Sequence, residues 1–341
     1  MRANRFFSFS AAAIVSVLAT TPGVAQPVEL KLGTFGPPSS FFIKEVIEPW
    51  IERVNRDSQG TLTIRHFGGA VLADQRQMYD AVRSNVAHIG WVTPSNTPSK
   101  FRKSSVFELP FGVHNSEQGS VVYWRLYEQG LLNDEFDEVL MLGAMVFPPG
   151  GIMTRTKKVA TIEDLAGLKL RVTGTLQNDA LKSLGATTVA LPVDQMYQAL
   201  DRGVIDGYAS AFTAIRPFRL YEVTRYYTQV RLSAFPNTLA INKNTYDALP
   251  AAAKAALSKH SGESLSRAFG QSGDREVMRA ITDIKSFTNK GKGELLQLSA
   301  QEEQRWRQHT SSLIDEWVKA RPDGAKVLAA FQQQVSNVEA K

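Results

Sequence analysis

Arg171 is the residue with the most legible chemistry in this chain. A guanidinium offers a planar fork of donors that matches a carboxylate through two parallel hydrogen bonds, and it keeps its charge near neutral pH. It follows an alternating Leu-Lys-Leu within TIEDLAGLKLRVTGTLQNDALKSLGATTVALPVDQMYQALDRGVIDG, residues 161–207. Spacing alone leaves two roles open for it: anchor for an organic acid, or partner of a nearby acid such as Glu163. Other side chains sit where apolar, strand-like runs end. Phe35 follows the first such run, Trp91 and Thr93 close the third, and Tyr208, Ser210 and Phe212 follow Gly207. Phe147 precedes a Pro-Pro-Gly-Gly breaker, and Asn237 lies in a Phe-Pro-Asn that marks a second crossing. Apolar walls with a few polar fixers are the usual make-up of a small-molecule pocket, although each ring taken alone could equally be a core aromatic. Asp206-Gly207 reads as a tight turn and not as a catalytic acid.

Several chemistries are excluded. The chain has no cysteine, which removes disulfides, thiolate nucleophiles and Cys-ligated metals. His66, His88, His114, His260 and His309 are scattered without metal-ligand spacing. There is no G-x-S-x-G elbow, phosphate-binding loop or G-x-G-x-x-G. No catalytic residues, metal or cofactor are therefore expected.

These residues must be held by alternating strands and helices. Thr161 and Asp164 form a capping pattern, and Gly167 stops that turn. Residues 168–172 read as a strand, followed by a helix to Leu184, a strand over 187–191, a helix over 193–200 and a third edge over 203–207. A similar β-α-β-α-β order occupies the earlier part of the chain. It has strands at 28–33, 61–67 and 87–92, and helices over 41–57 and 74–83. The helix from Phe41 carries Phe42, Val46, Trp50 and Val54 on one face. Such units form mainly parallel sheets that bind ligands beyond the carboxyl ends of their strands. Residues 251–290 read as mostly helical, with glycines at 262, 270 and 273. The expected fold class is α/β.

The segment around Arg171 also resembles a family. A capped E-D-L-x-G-L-K-L-R-V, then L-G-A, then Y-x-A-L-x-x-G-V-I-D-G is similar to the DctP-type solute-binding proteins of TRAP (tripartite ATP-independent periplasmic) transporters. Leu30–Gly33, Ser58–Ile64, Glu108–Phe111, Tyr221–Val223 and Asn244–Pro250 extend the resemblance over nearly the whole chain beyond residue 25. It implies a two-lobed periplasmic binding protein fold, with a ligand cleft between the lobes and a long helix spanning both. Residues 26–148 and about 235–275 would form lobe I; 149–234 and about 276–341 would form lobe II. The resemblance makes Arg171 the carboxylate clamp and puts Ser210 at a ligand-touching position. Many relatives carry a second basic residue about twenty positions earlier; here Gly151 stands near that position and Arg155 lies four residues on. A monocarboxylate, aromatic or 2-oxo, thereby becomes as good a ligand as a dicarboxylate. The implied partners are TRAP membrane subunits driven by an ion gradient.

The ends and the charge fit this picture. Arg2 and Arg5, an apolar Ala11–Ala19 and the small residues Gly23-Val24-Ala25 read as a cleaved secretory signal peptide over residues 1–25, directing the chain to the periplasm. The apolar run is well short of the roughly 20 residues of a membrane span. Without those two arginines the balance is 37 basic against 33 acidic residues, near +4. This is too small and dispersed for nucleic acid. Two rivals share parts of this reading. A hydrolase or isomerase would need a base beside a nucleophile or metal, which the chain lacks; a receptor feeding a sensor kinase would keep the fold and change only the output.

Overall fold

In a computed structural model of the protein, residues 26–291 and 293–339 are described; the expected signal peptide lies outside them. The strands are β1 (Val28–Gly33), β2 (Leu62–Phe67), β3 (Ile89–Val92), β4 (Val139–Phe147), β5 (Gly151–Thr154), β6 (Lys169–Val172), β7 (Thr187–Ala190), β8 (Gly207–Ser210), β9 (Tyr226–Gln229), β10 (Phe235–Asn242) and β11 (Glu294–Gln297). They form two sheets, ordered β2-β1-β3-β10-β4 and β11-β9-β5-β8-β6-β7. In the first sheet β1 runs parallel to β2 and β3, while β10 runs antiparallel to β3 and β4. In the second, β6 is parallel to β7 and β8, and β5 is antiparallel to β8 and β9. The chain crosses between sheets after β4 and returns before β10. The carboxyl ends of β1, β3, β6 and β8 therefore face one cleft, as open α/β sheets require.

The central strands are buried on both faces, Ile89–Val92 and Gly207–Ser210 throughout, while the edge strands Leu62–Phe67, Thr187–Ala190 and Glu294–Gln297 are partly exposed. In the second sheet Leu170, Val172, Ala209 and Ile152 enter one core layer. Met153, Tyr208 and Tyr227 enter the opposite layer. Arg171 is in register with Tyr208 and thus emerges on that second face. The turn before β6 is fixed as the sequence indicates: the Asp164 carboxylate accepts from the Thr161 N–H at 3.0 Å and completes a capping box.

Three local expectations are corrected. The segment 203–206 is a turn, and the strand begins at Gly207. The helix expected from Asp74 starts only at Met78. Asp74 Oδ1 accepts the N–H groups of Arg76 and Gln77, both at 2.9 Å, a local alternative to the helical ladder. The helical stretch 251–290 is split at Gly262, whose φ of +81° ends one helix and admits the next.

The helix Glu263–Thr288 spans both lobes. Leu265 and Phe269 pack in the first lobe, whereas Ala280 and Ile284 pack in the second. Its Asp274 carboxylate accepts the Ser116 and Glu117 N–H groups at 2.7 and 3.0 Å, capping the helix Ser116–Glu128 of the first lobe. The chain's last helix, Gly324–Glu339, departs from the expected division. Trp306 lies in the second lobe's core, but Trp317, Val327 and Phe331 pack with the first lobe. The Trp317 indole N–H donates to Ser105 Oγ at 2.8 Å. The residues after about 316 thus cross back, because their apolar stripe finds Phe107 of the first lobe, 5.1 Å from Phe331 ring to ring.

Glu108 is buried where the lobes meet. Ser95 Oγ donates to its carboxylate at 2.6 Å. A methyl group at Gly174, which leads into the helix Thr175–Ser183 of the other lobe, would lie 2.8 Å from its Oε2. Desolvation pushes the Glu108 pKa up to about 7, against the opposing pull of Ser95 and Arg321. A carboxyl raised on folding binds its proton more tightly in the native chain, so its contribution is lost as pH rises from about 4.5 towards 7. Glu108→Gln keeps an acceptor for Ser95 and removes the charge. Its unfolding free energy should match wild type below that window and exceed it above, by on the order of 3 kcal/mol at pH 8. Denaturant titrations at several pH values check this, and a gap that does not grow with pH counts against it.

Candidate ligand-binding site

A cavity lies between the lobes. From the first lobe come Phe35 after β1, Trp91 and Thr93 at the end of β3, Phe147 at the end of β4 and Asn237 at the start of β10. From the second come Arg171 in β6 and Ser210 at the end of β8. The sequence-predicted residues are brought together with two exceptions. Tyr208 is wholly buried, and its hydroxyl meets Thr224 Oγ1 at 2.9 Å. It stands on the face of β8 that carries Ser210, but two residues further from the strand's end, so the sheet's own core covers it. Phe212 points away from the cavity and fills the space left by the missing side chain of Gly151, where a Cβ would lie 2.8 Å from its ring. Its neighbours Ala211 and Thr213 face the cavity instead.

The aromatic end is built on Trp91, which is 2 % exposed. Phe35 stacks on it at 4.3 Å and 29°, and Phe42 meets it edge-on at 4.0 Å and 74°. Phe147 closes the group at 5.6 Å. Offset and edge-to-face contacts of this kind are the favoured ring geometries. Phe42 was legible only as part of a helix's core stripe; it serves core and cavity together. It starts a helix whose first turns are of π type over Ile43–Ile47, where Pro49 supplies no N–H to continue the ladder.

A polar belt borders these rings. Trp91 Nε1 and Thr93 Oγ1 both donate to Asn237 Oδ1, at 3.1 and 2.7 Å. Asn237 Nδ2 donates to the Phe235 carbonyl at 3.0 Å, and Gln75 Nε2 to Thr93 Oγ1 at 3.3 Å. Gln75, unmarked by any sequence pattern, reaches the cleft because the turn at Asp74 delays the helix. Asn237→Ala would strand the Trp91 and Thr93 donors in a buried setting. The expected cost is at least ~2 kcal/mol of folding stability, read from the denaturant midpoint; a loss well under 1 kcal/mol would show that both donors find other acceptors.

Among the described residues Arg171 is the only charged one lining the cavity, and it is 2 % exposed. Its Nε donates to the Leu191 carbonyl at 2.8 Å, which fixes the fork. Among the described residues no carboxylate forms an ion pair with it. Glu163, the alternative partner, is paired with Arg305. Desolvation pushes the Arg171 pKa down to about 9, opposed by Asp194 and reinforced by Arg76. The group thus stays charged at neutral pH, buried and with no ion-pair partner among the described residues, an arrangement that favours an incoming anion. The hydroxyls of Ser210 and Thr213, both buried, have no hydrogen-bond partner among the described residues. Arg155 lies outside the cavity, its guanidinium on the Leu200 and Asp201 carbonyls at 3.2 and 3.0 Å. Among the described residues no group of three or more His, Cys, Asp and Glu gathers as for a metal, and no helix is long and apolar enough to cross a membrane.

Comparisons with known proteins agree with this architecture. The model for bacterial extracellular solute-binding proteins of family 7 (DctP) matches residues 32–320. A TRAP solute-binding protein from Rhodoferax ferrireducens T118, crystallised with copurified benzoate, is 27 % identical with a TM-score of 0.85, covering 91 % of this chain and 98 % of that one. A TRAP periplasmic solute-binding protein from Bordetella bronchiseptica with bound (R)- and (S)-mandelate is 27 % identical with a TM-score of 0.83, covering 92 % and 100 %. The C4-dicarboxylate-binding periplasmic protein DctP of Rhodobacter capsulatus is 22 % identical over 338 residues, 94 % of this chain and 95 % of that protein. With its two lobes, its spanning helix and a buried arginine at the cleft, the chain belongs to the DctP family of TRAP-transporter solute-binding proteins, receptors for small organic acids.

Proposed function

We propose that this protein is the periplasmic receptor of a TRAP-type transporter and that its ligand is an aromatic monocarboxylate. The observation that carries the reading is Arg171, a buried guanidinium on the second-lobe side of a cavity whose first-lobe side is a cage of rings. One fixed charge suits one carboxylate; a dicarboxylate would leave its second charge among Phe35, Phe42, Trp91 and Phe147, at a large desolvation cost. The relatives with benzoate and mandelate, each 27 % identical, support the same class. Arg171 holds the carboxylate, with the Ser210 and Thr213 hydroxyls as further donors beside it. The ring then stacks in the cage. Closure of the lobes is of the hinge type known for such receptors, and the closed form passes its ligand to membrane subunits that an ion gradient drives. Residues 1–25 supply the export signal in this reading.

The test is a thermal-shift screen of residues 26–341 against benzoate, phenylacetate, mandelate, phenylglyoxylate, succinate, glutamate and hexoses. A ligand at 100 times its Kd adds roughly 2.7 kcal/mol to the folded state. Aromatic acids should raise the melting temperature. The 2-oxo acid phenylglyoxylate separates an aromatic from an aromatic 2-oxo preference. A response confined to succinate, glutamate or hexoses would overturn the assignment.

A further inference from the structure

Ser40 is a polar side chain on the cavity wall that the site described so far does not use. It is 2 % exposed and lines the cavity. Its Oγ is buried with no hydrogen-bond partner among the described residues. Native structures seldom leave a buried hydroxyl unpaired, because the group forfeits its bonds to water without replacement. The Ser40 backbone explains its position and not its orphan hydroxyl: its N–H donates to the Pro37 carbonyl at 2.8 Å, and its own carbonyl accepts from Ile43 at 3.1 Å.

The surroundings of Gly36 place this hydroxyl close to the rings of Phe42 and Trp91. A Cβ built on Gly36 would lie 3.1 Å from the Phe42 ring, 3.2 Å from the Trp91 ring and 3.4 Å from Ser40 Oγ. Ser40 Oγ therefore sits beside the rings that form the cage, in the first lobe, while Arg171 belongs to the second. A ring held by its carboxylate at Arg171 and stacked against Trp91 brings its outer edge towards Ser40.

We propose that Ser40 is a specificity-determining residue that pairs with a hydroxyl on the ligand's ring, so the preferred substrate is a ring-hydroxylated aromatic acid. This rests on the aromatic-acid reading above and adds the substituent. The ring hydroxyl and Ser40 Oγ satisfy one another, one donating and one accepting, which a bare ring cannot do. A site that presents a buried polar group discriminates against the analogue lacking its partner.

The experiment is isothermal titration of residues 26–341 with benzoate, phenylacetate and their ortho-, meta- and para-hydroxy isomers, on wild type and on Ser40→Ala. Wild type should bind one hydroxylated isomer roughly ten-fold more tightly than its parent acid, the value of one net hydrogen bond. In Ser40→Ala that ratio should fall to within about two-fold of unity. Wild type binding the parent acid as tightly as every isomer would overturn the proposal while leaving the aromatic-acid reading intact. A preference that survives in Ser40→Ala would do the same. Failure of all these acids to bind would remove both together. The wild-type ratio needs no variant, so misfolding of Ser40→Ala cannot shield the proposal.

Discussion

Replacing Arg171 by methionine is expected to weaken binding of the carboxylate ligand at least ~100-fold while the empty protein melts no earlier than wild type. The first half follows from losing a charge-assisted, desolvated contact, for which truncation of one partner costs about 2–5 kcal/mol. The second follows from the state of the empty site. Arg171 is buried, lacks an ion-pair partner among the described residues and has its pKa depressed to about 9 by desolvation. An uncompensated buried charge is a cost to the fold, and a methionine of similar reach removes it. The lost bond to the Leu191 carbonyl offsets part of that gain. Thermal melts with and without benzoate or mandelate check both halves. A variant that still gains stability from the acid would show that the carboxylate is held elsewhere.

Gly150→Ala should produce the largest loss of folding stability. A Cβ at this position would lie 1.7 Å from the Ser210 carbonyl oxygen and 2.2 Å from its carbon. Both are main-chain atoms at the end of β8, where Ser210 pairs with Gly151, so neither can swing aside as a side chain tip would. Relief requires separating β5 from β8 at the crossing between the lobes. The expected cost is ~3 kcal/mol or more, at the upper end for overpacking, with ligand binding weakened through the displaced Ser210. Urea titration measures the first and calorimetric titration the second. A variant within 1 kcal/mol of wild type would mean that this crossing yields far more readily than its contacts indicate.

The fold was legible where side-chain period and turn chemistry agreed. The Thr161–Asp164 cap, the β6 alternation and the stop at Gly185 each follow from local rules, and the structure has them at or within a residue of the expected places. The resemblance to DctP proteins supplied the two-lobed plan that local rules cannot. Position after a strand end marked Trp91, Thr93, Arg171 and Ser210 as cleft residues, and all line the cavity. The same rule misplaced Tyr208, because the strand starts at Gly207 and so carries Tyr208 in its body. It misplaced Phe212, because whether a side chain in the following turn faces inward depends on backbone angles that no spacing encodes. Gln75, Thr213 and Ser40 gave no signal: each is an ordinary polar residue brought to the cavity by a turn or helix start. The final helix was assigned to the wrong lobe because an apolar stripe does not name the surface it will cover.

The helix Glu263–Thr288 also sets a rule for how this chain can change length. Its two halves are keyed to different bodies, Leu265 and Phe269 to one core and Ala280 and Ile284 to the other. Near its middle, a Cβ on Gly270 would lie 2.3 Å from the Glu117 Cα, so the helix cannot slide along its neighbour. One residue gained or lost between Gly273 and Ala280 would turn everything beyond it by about 100° and shift it by about 1.5 Å. Ala280 and Ile284 would leave their core, or the second lobe would turn with them and carry Arg171 away from the rings it faces. Insertions in surface loops carry no such penalty. The span of this helix therefore acts as a fixed gauge between two halves of a binding site, and descendants of this chain should vary in their loops while keeping that distance.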